Sequence, residues 1–140
     1  MNLVIAVFLL HFVADWVLQS PEMGRQKSNK FKVLCQHISI IFFVIFLGTI
    51  PLLGWKMAAL LSLVNALTHA VVDWNIWRFY KTTVYFRNKD MFKEMGEERA
   101  TAYLKRHYKY WLDPVFGYFL GTDQLIHYIL LYVIYGMYYA

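Results

Sequence analysis

Cysteine is almost missing from this chain of 140 residues: Cys35 stands alone. No intramolecular disulfide can form, and no thiolate cage can hold a metal. Charge is thin as well, at 16% of residues against 59% hydrophobic and 19% aromatic, with a mean hydropathy of +0.39. A soluble domain of this length carries more charge and fewer aromatics. Glutamate is absent from every apolar stretch, which removes the commoner general base of zinc hydrolases from them. Proline occurs three times, and Pro21, Pro51 and Pro114 each fall where a helix is expected to start or stop.

What remains is apolar. Leu3–Leu18, Val33–Trp55, Met57–Trp77 and Val115–Tyr139 each approach the ~20 residues that span a bilayer core. The expected fold is all-α: one integral membrane domain over residues 1–140, built as a four-helix transmembrane bundle with helices at about 3–19, 33–50, 56–80 and 115–139. The first stretch has no basic leader and no A-x-A-like cleavage site, and it carries His and Asp, so it reads as a retained helix. Ile50-Pro51-Leu52-Leu53-Gly54 reads as a tight turn between the second and third helices. Asp113-Pro114 reads as the start of the fourth, with Gly121-Thr122-Asp123 a place where it can restart or kink.

The net charge is +5 and the pI about 9.3. Arg25, Lys27, Lys30 and Lys32 lie between the first and second helices. Arg78, Lys81, Arg87, Lys89, Lys93, Arg99, Lys105, Arg106 and Lys109 lie between the third and fourth, so 13 of 14 basic residues occupy two connections separated by an even number of crossings. The positive-inside rule then puts both connections in the cytoplasm and both termini outside. Anionic lipid headgroups suffice as partners for this charge, and nucleic acid is not required. Asp90–Tyr110 has acids early and bases late, in keeping with a helix macrodipole. With Met91, Met95, Tyr103, Tyr108 and Trp111 it reads as a cytoplasmic helical segment that can lie in the interface or serve as a solvated connector.

Against this background seven polar residues stand out. His11-Phe-Val-Ala-Asp15-Trp16 and His69-Ala-Val-Val-Asp73-Trp74 are two copies of H-x-x-x-D-W, His37 sits in the second apolar run, and Asp123-Gln124-Leu-Ile-His127 repeats the spacing in reverse order. Ionisable groups within a transmembrane helix are costly unless paired or coordinated. Positions i and i+4 share a helix face, so each His/Asp pair is pre-aligned. At ~1.5 Å per residue from the cytoplasmic ends, Asp15 lies roughly 6 Å deep, His37, Asp73 and Asp123 about 8 Å, and His11, His69 and His127 about 12–14 Å. All seven then occupy one layer. The matched motifs also suggest an internal duplication, helix pair on helix pair.

Inward carboxylates and imidazoles at one level on four helices are the ingredients of a dinuclear site. Without thiolate they suit Zn, with Mn or Fe as alternatives. The expected ligands are His11, Asp15, His37, His69, Asp73, Asp123 and His127, holding one or two divalent ions, with Asp73 or Asp123 as the general base of a hydrolytic centre. Gln19, Asn65 and Gln124 are placed to orient those ligands. Trp16 and Trp74 read as walls of the site or interface anchors, and His107 as an ordinary packing residue.

At these same positions the chain resembles a family of small integral membrane proteins of bacteria and their phages, classed as a domain of unknown function; the resemblance implies a bacterial inner membrane location. Its pattern runs H-x-x-A-D-[WF]-x-x-Q, an isolated His, H-x-x-x-D and D-Q-x-x-H, met here by His11 to Gln19, His37, His69 to Asp73, and Asp123 to His127. More loosely, it is similar to membrane-bound metal-dependent hydrolases regulated with DNA-damage genes. The leading expectation is a metal-dependent hydrolase acting on a lipid phosphodiester or ester near the cytoplasmic leaflet. The alternatives are a transporter or channel for protons or divalent metal, and a non-enzymatic accessory protein with a structural metal.

Overall fold

A computed structural model describes residues 2–109 and 112–138, apart from the Lys105 side chain; Tyr110, Trp111 and Tyr139 lie outside the described residues. Within them every regular element is helical and no strand occurs. Helix α1, Leu3–Phe12, is capped by Asn2, whose side chain accepts from the Val4 amide at 3.0 Å. It runs on into a π-helical turn, Val13–Val17. Such a turn inserts extra backbone into a helix and is found frequently at functional sites.

The connection that follows is structured. Ser20 accepts from the Met23 amide at 3.1 Å and Pro21 opens α2, Pro21–Gln26, the pairing of N-cap and first-turn proline that favours a helix start. A turn at 27–30 leads into α3, Phe31–Arg87.

Helical hydrogen bonding continues through α3, but Gly54 interrupts it with φ 71° and ψ 159°. In one straight helix His37 and His69 would stand about 48 Å apart; here their Nε2 atoms are 3.1 Å apart. The chain therefore folds back at Gly54 into two arms, 31–53 and 55–87. The reversal falls within the turn expected over Ile50–Gly54 but is narrower: Pro51 stays helical inside the first arm, and the change of direction is concentrated on Gly54, a residue that tolerates positive φ. The second arm also runs past Tyr80 to Arg87. Lys81, in the added turns, is bonded to Ser28 and Asn29, and Arg78, just before them, is stacked over the Trp74 ring at 3.8 Å.

The basic segment after α3 forms two helices, α4 (Lys89–Met95) and α5 (Glu97–His107), broken at Gly96, where φ is 78°. Helix α6, Pro114–Gly136, starts on an Asp113 cap and passes through Gly121-Thr122-Asp123 without a break. Helix α1, α3 and α6 pack on one another. Leu3, Val7 and Ala14, Ile41 and Ile45, Leu131 and Tyr135 make the apolar core. Gly48 lets α1 approach closely, since a Cβ there would lie 2.5 Å from Leu10 Cδ1.

Candidate metal centre

Beside that apolar core, the same helices bury a polar one. His11, Asp15, His37, His69, Asp73, Asp123 and His127 are each at most 3% exposed. α1 and its π turn deliver His11 and Asp15, the first arm of α3 His37, the second arm His69 and Asp73, and α6 Asp123 and His127. The spacing of the motifs aims each pair inward, and the helix reversal at Gly54 closes the ring.

The closest packing is around His37. Its Nε2 lies 3.1 Å from His69 Nε2, 3.2 Å from Asp73 Oδ2 and 3.2 Å from Asp15 Oδ1. His69 Nε2 is 3.1 Å from Asp73 Oδ2 and 3.9 Å from Asp15 Oδ1. One ring N–H can serve only one of these neighbours. A convergence of this kind is what donors adopt about a shared cation: tetrahedral ligands at about 2.0 Å from an ion are ~3.3 Å from one another.

A second group of donors adjoins the first. His69 and His127 stack with centroids 3.8 Å apart, and the His11 ring stands 5.2 and 5.4 Å from them. Both His11 ring nitrogens are buried without a hydrogen-bond partner. His127 Nε2 is 3.5 Å from Asp123 Oδ1 and 3.6 Å from Asp73 Oδ1. Three triads could each hold an ion: His11, His69 and His127; Asp15, His37 and His69; Asp73, Asp123 and His127. Two histidines are shared among them, so the seven residues form one continuous cluster.

The two H-x-x-x-D copies are not equivalent. On the regular helix of α3, His69 Nε2 meets Asp73 Oδ2 at 3.1 Å, while across the π turn His11 Nε2 and Asp15 Oδ2 are 4.0 Å apart. The wider turn frees Asp15 to face His37 and Lys27.

Of the three amides expected to orient ligands, Gln124 makes the contacts. Its Nε2 donates to Asp15 Oδ2 at 2.9 Å and to Asp123 Oδ2 at 3.4 Å, and its Oε1 accepts from Trp16 Nε1 at 2.9 Å. Trp16 thus acts as a brace for the site. Asn65 is buried, but its Nδ2 has no hydrogen-bond partner; Gln19 lies against Gly24, with its Oε1 likewise unpartnered. Trp74 carries Arg78 on its face, and His107 stacks on Tyr103 at the surface.

Lys27 is the residue that sequence reasoning missed. It comes from the polar connection, is 3% exposed, and places Nζ 2.8 Å from Asp73 Oδ1, 3.4 Å from His37 Nε2 and 3.5 Å from Asp15 Oδ1. Burial disfavours its charge, but Asp73 and Asp15 outweigh this and hold it above the ordinary lysine range. A signal for it existed: three buried carboxylates need compensating cations, and the apolar segments contain none of their own, so a neighbouring connection must supply one.

Comparison with curated proteins and with solved structures gives no match. Over residues 3–140 the chain matches the family described as Protein of unknown function (DUF3307), and it belongs to that family.

Proposed function

We propose that the protein is an integral membrane, metal-dependent hydrolase whose buried His/Asp centre opens toward the cytoplasmic leaflet. The observation that carries this reading is the triangle of His37 Nε2, His69 Nε2 and Asp73 Oδ2, with sides of 3.1, 3.2 and 3.1 Å. Imidazole and carboxylate donors favour zinc, with manganese or iron as alternatives. When bound, such an ion supplies an activated water at neutral pH.

The chain's own residues divide the remaining work. Asp73 has imidazoles or an ammonium on both oxygens, so it is suited to hold an ion and poorly placed to take a proton. Asp123 is held less tightly, with His127 Nε2 3.5 Å from its Oδ1 where Asp73 has Lys27 Nζ at 2.8 Å, which suits Asp123 to be the general base. Gln124 orients both Asp15 and Asp123 through its amide nitrogen.

The membrane placement rests on the inverted distribution of side chains. Ile5, Leu47, Leu67 and Ile129 are more than half exposed while the titratable groups are inside. One helix, Phe31–Arg87, is long and apolar enough to cross a bilayer by length and composition, and its arms of 23 and 33 residues each exceed the ~20 needed. A lipid phosphodiester or ester is the substrate class that a site just beneath basic connections would meet. The apolar core on the other side of the site favours a pocket with one mouth over a conduit.

The test is elemental analysis of detergent-purified protein together with phospholipid hydrolysis. Wild type is expected to hold one or two divalent ions, His69→Ala to lose them, and Asp73→Asn to stay folded by circular dichroism without hydrolytic activity. Folded wild type that binds no zinc, manganese or iron would refute the reading.

A further inference from the structure

Lys27 has an unusual address. Lysine is almost never fully buried unless paired, and this one is carried into the cluster by a turn fastened from outside. Arg78 Nε donates to the Ser28 carbonyl at 3.1 Å, and Lys81 Nζ donates to Ser28 Oγ at 2.7 Å and Asn29 Oδ1 at 2.8 Å. The Lys27 amide closes the end of α2 on the Met23 carbonyl at 2.9 Å. Two basic side chains thus fasten the turn that presents a third, Arg78 through the Ser28 carbonyl and Lys81 through the Ser28 and Asn29 side chains.

The ammonium sits on three of the ligands already described: Asp15, His37 and Asp73. In a dinuclear centre, carboxylates shared in this way bridge the two ions. Charge leads to the same arrangement. Asp15, Asp73 and Asp123 contribute three negative charges and Lys27 one positive, leaving −2 with neutral imidazoles. A single divalent ion balances that. Two would leave an excess of +2 among groups that are each at most 3% exposed, which is strongly unfavourable.

We propose that Lys27 is a built-in second cation: the centre binds one divalent ion per chain, and the Lys27 ammonium stands where a dinuclear site has its other metal. This rests on the metal-centre reading above and adds its stoichiometry. It also assigns α2 and the 27–30 turn a role, as the scaffold that positions the charge. Lys27 is a positioning and charge-balancing residue, distinct from the ligands it touches.

The experiment is a metal count on the full-length, detergent-purified protein saturated with zinc and freed of excess. Cobalt titration followed by visible absorption gives an independent count. Wild type and Lys27→Arg, which keeps the charge, are expected to take one ion per chain. Lys27→Met, which keeps the stem and removes the charge, is expected to take two, doubling the cobalt endpoint. Two ions in wild type or in Lys27→Arg would overturn the assignment of Lys27 while leaving the metal centre intact, and this count holds even if Lys27→Met does not fold. A folded Lys27→Met with one ion would overturn it as well. No ion in folded wild type would remove both this inference and the metal reading beneath it.

Discussion

One set of helices builds two interiors that obey different rules. Toward one end Leu3, Val7, Ile41, Ile45, Leu131 and Tyr135 pack as hydrocarbon, with Tyr135 reaching Ser62 at 3.5 Å. One or two turns along the same helices, His11, His37, Asp73 and His127 pack as charge and imidazole. The apolar end is complete as it stands, because dispersion needs only close contact. The polar end has donors without acceptors and like atoms facing each other, as with His37 and His69. Polar burial of that sort is tolerated where a site needs it, so the contrast marks the polar end as the candidate site and the apolar end as the support of the fold.

The division can be broken from either side. Ile45 is fully buried in the apolar end. Ile45→Ala should destabilise the protein by about 2–5 kcal/mol, read by thermal unfolding in detergent, with an unchanged number of bound ions. A loss of metal from this variant would mean that the two interiors are one.

Gln124→Ala sharpens the polar side. Removing the donor to Asp15 and Asp123 should weaken metal binding roughly 10–100-fold, measured by competition with a chelator, while the melting temperature of metal-free protein stays near that of wild type. An unchanged affinity would show that Gln124 only braces Trp16.

The smallest effect is expected outside both interiors. Asp113 caps α6 by accepting from the Val115 amide at 3.1 Å, and it also takes a hydrogen bond from the Tyr108 hydroxyl and pairs with Arg87 at 2.9 Å. Asp113→Ala should cost about 1 kcal/mol. Tyr108 and then Arg87 hold the Asp113 carboxyl below its ordinary range despite some burial. A lowered carboxylate stabilises fully above the unfolded pKa of about 4 and loses its contribution as pH falls through the folded value. The difference in melting temperature between wild type and Asp113→Ala should therefore shrink only at acid pH. A constant difference from pH 7 to pH 2 would assign the effect to the backbone of the cap and not to its charge.

Much of the site was legible because helical spacing is a local rule. His11 with Asp15, His69 with Asp73 and Asp123 with His127 announce themselves at i,i+4 inside apolar sequence, and Gln124 is next to Asp123. The π turn at Val13–Val17 was not legible, since nothing in Val-Ala-Asp-Trp-Val distinguishes it from α-helix. The turn expected over Ile50–Gly54 was placed correctly but drawn too wide: proline is a common turn signal, yet here the helix carries Pro51 and the reversal falls on Gly54. Gln19 lies one turn past Asp15 in sequence, but the helix ends at Val17 and the amide turns to Gly24.

From the amino-acid order alone came the helical class, the apolar segments and the identity of the seven inward-facing polar groups, because hydropathy and a period of 3.6 residues are written along one chain. Tertiary structure decided which of those groups touch, how the two H-x-x-x-D copies differ, and that Lys27 enters the cluster. Most of those are contacts between residues distant in sequence, such as Lys27 with His37 and Gln124 with Asp15, and their geometry depends on the reversal at Gly54, whose place the Pro/Gly pattern marked, and on a strapped turn at 27–30, which no local pattern encodes.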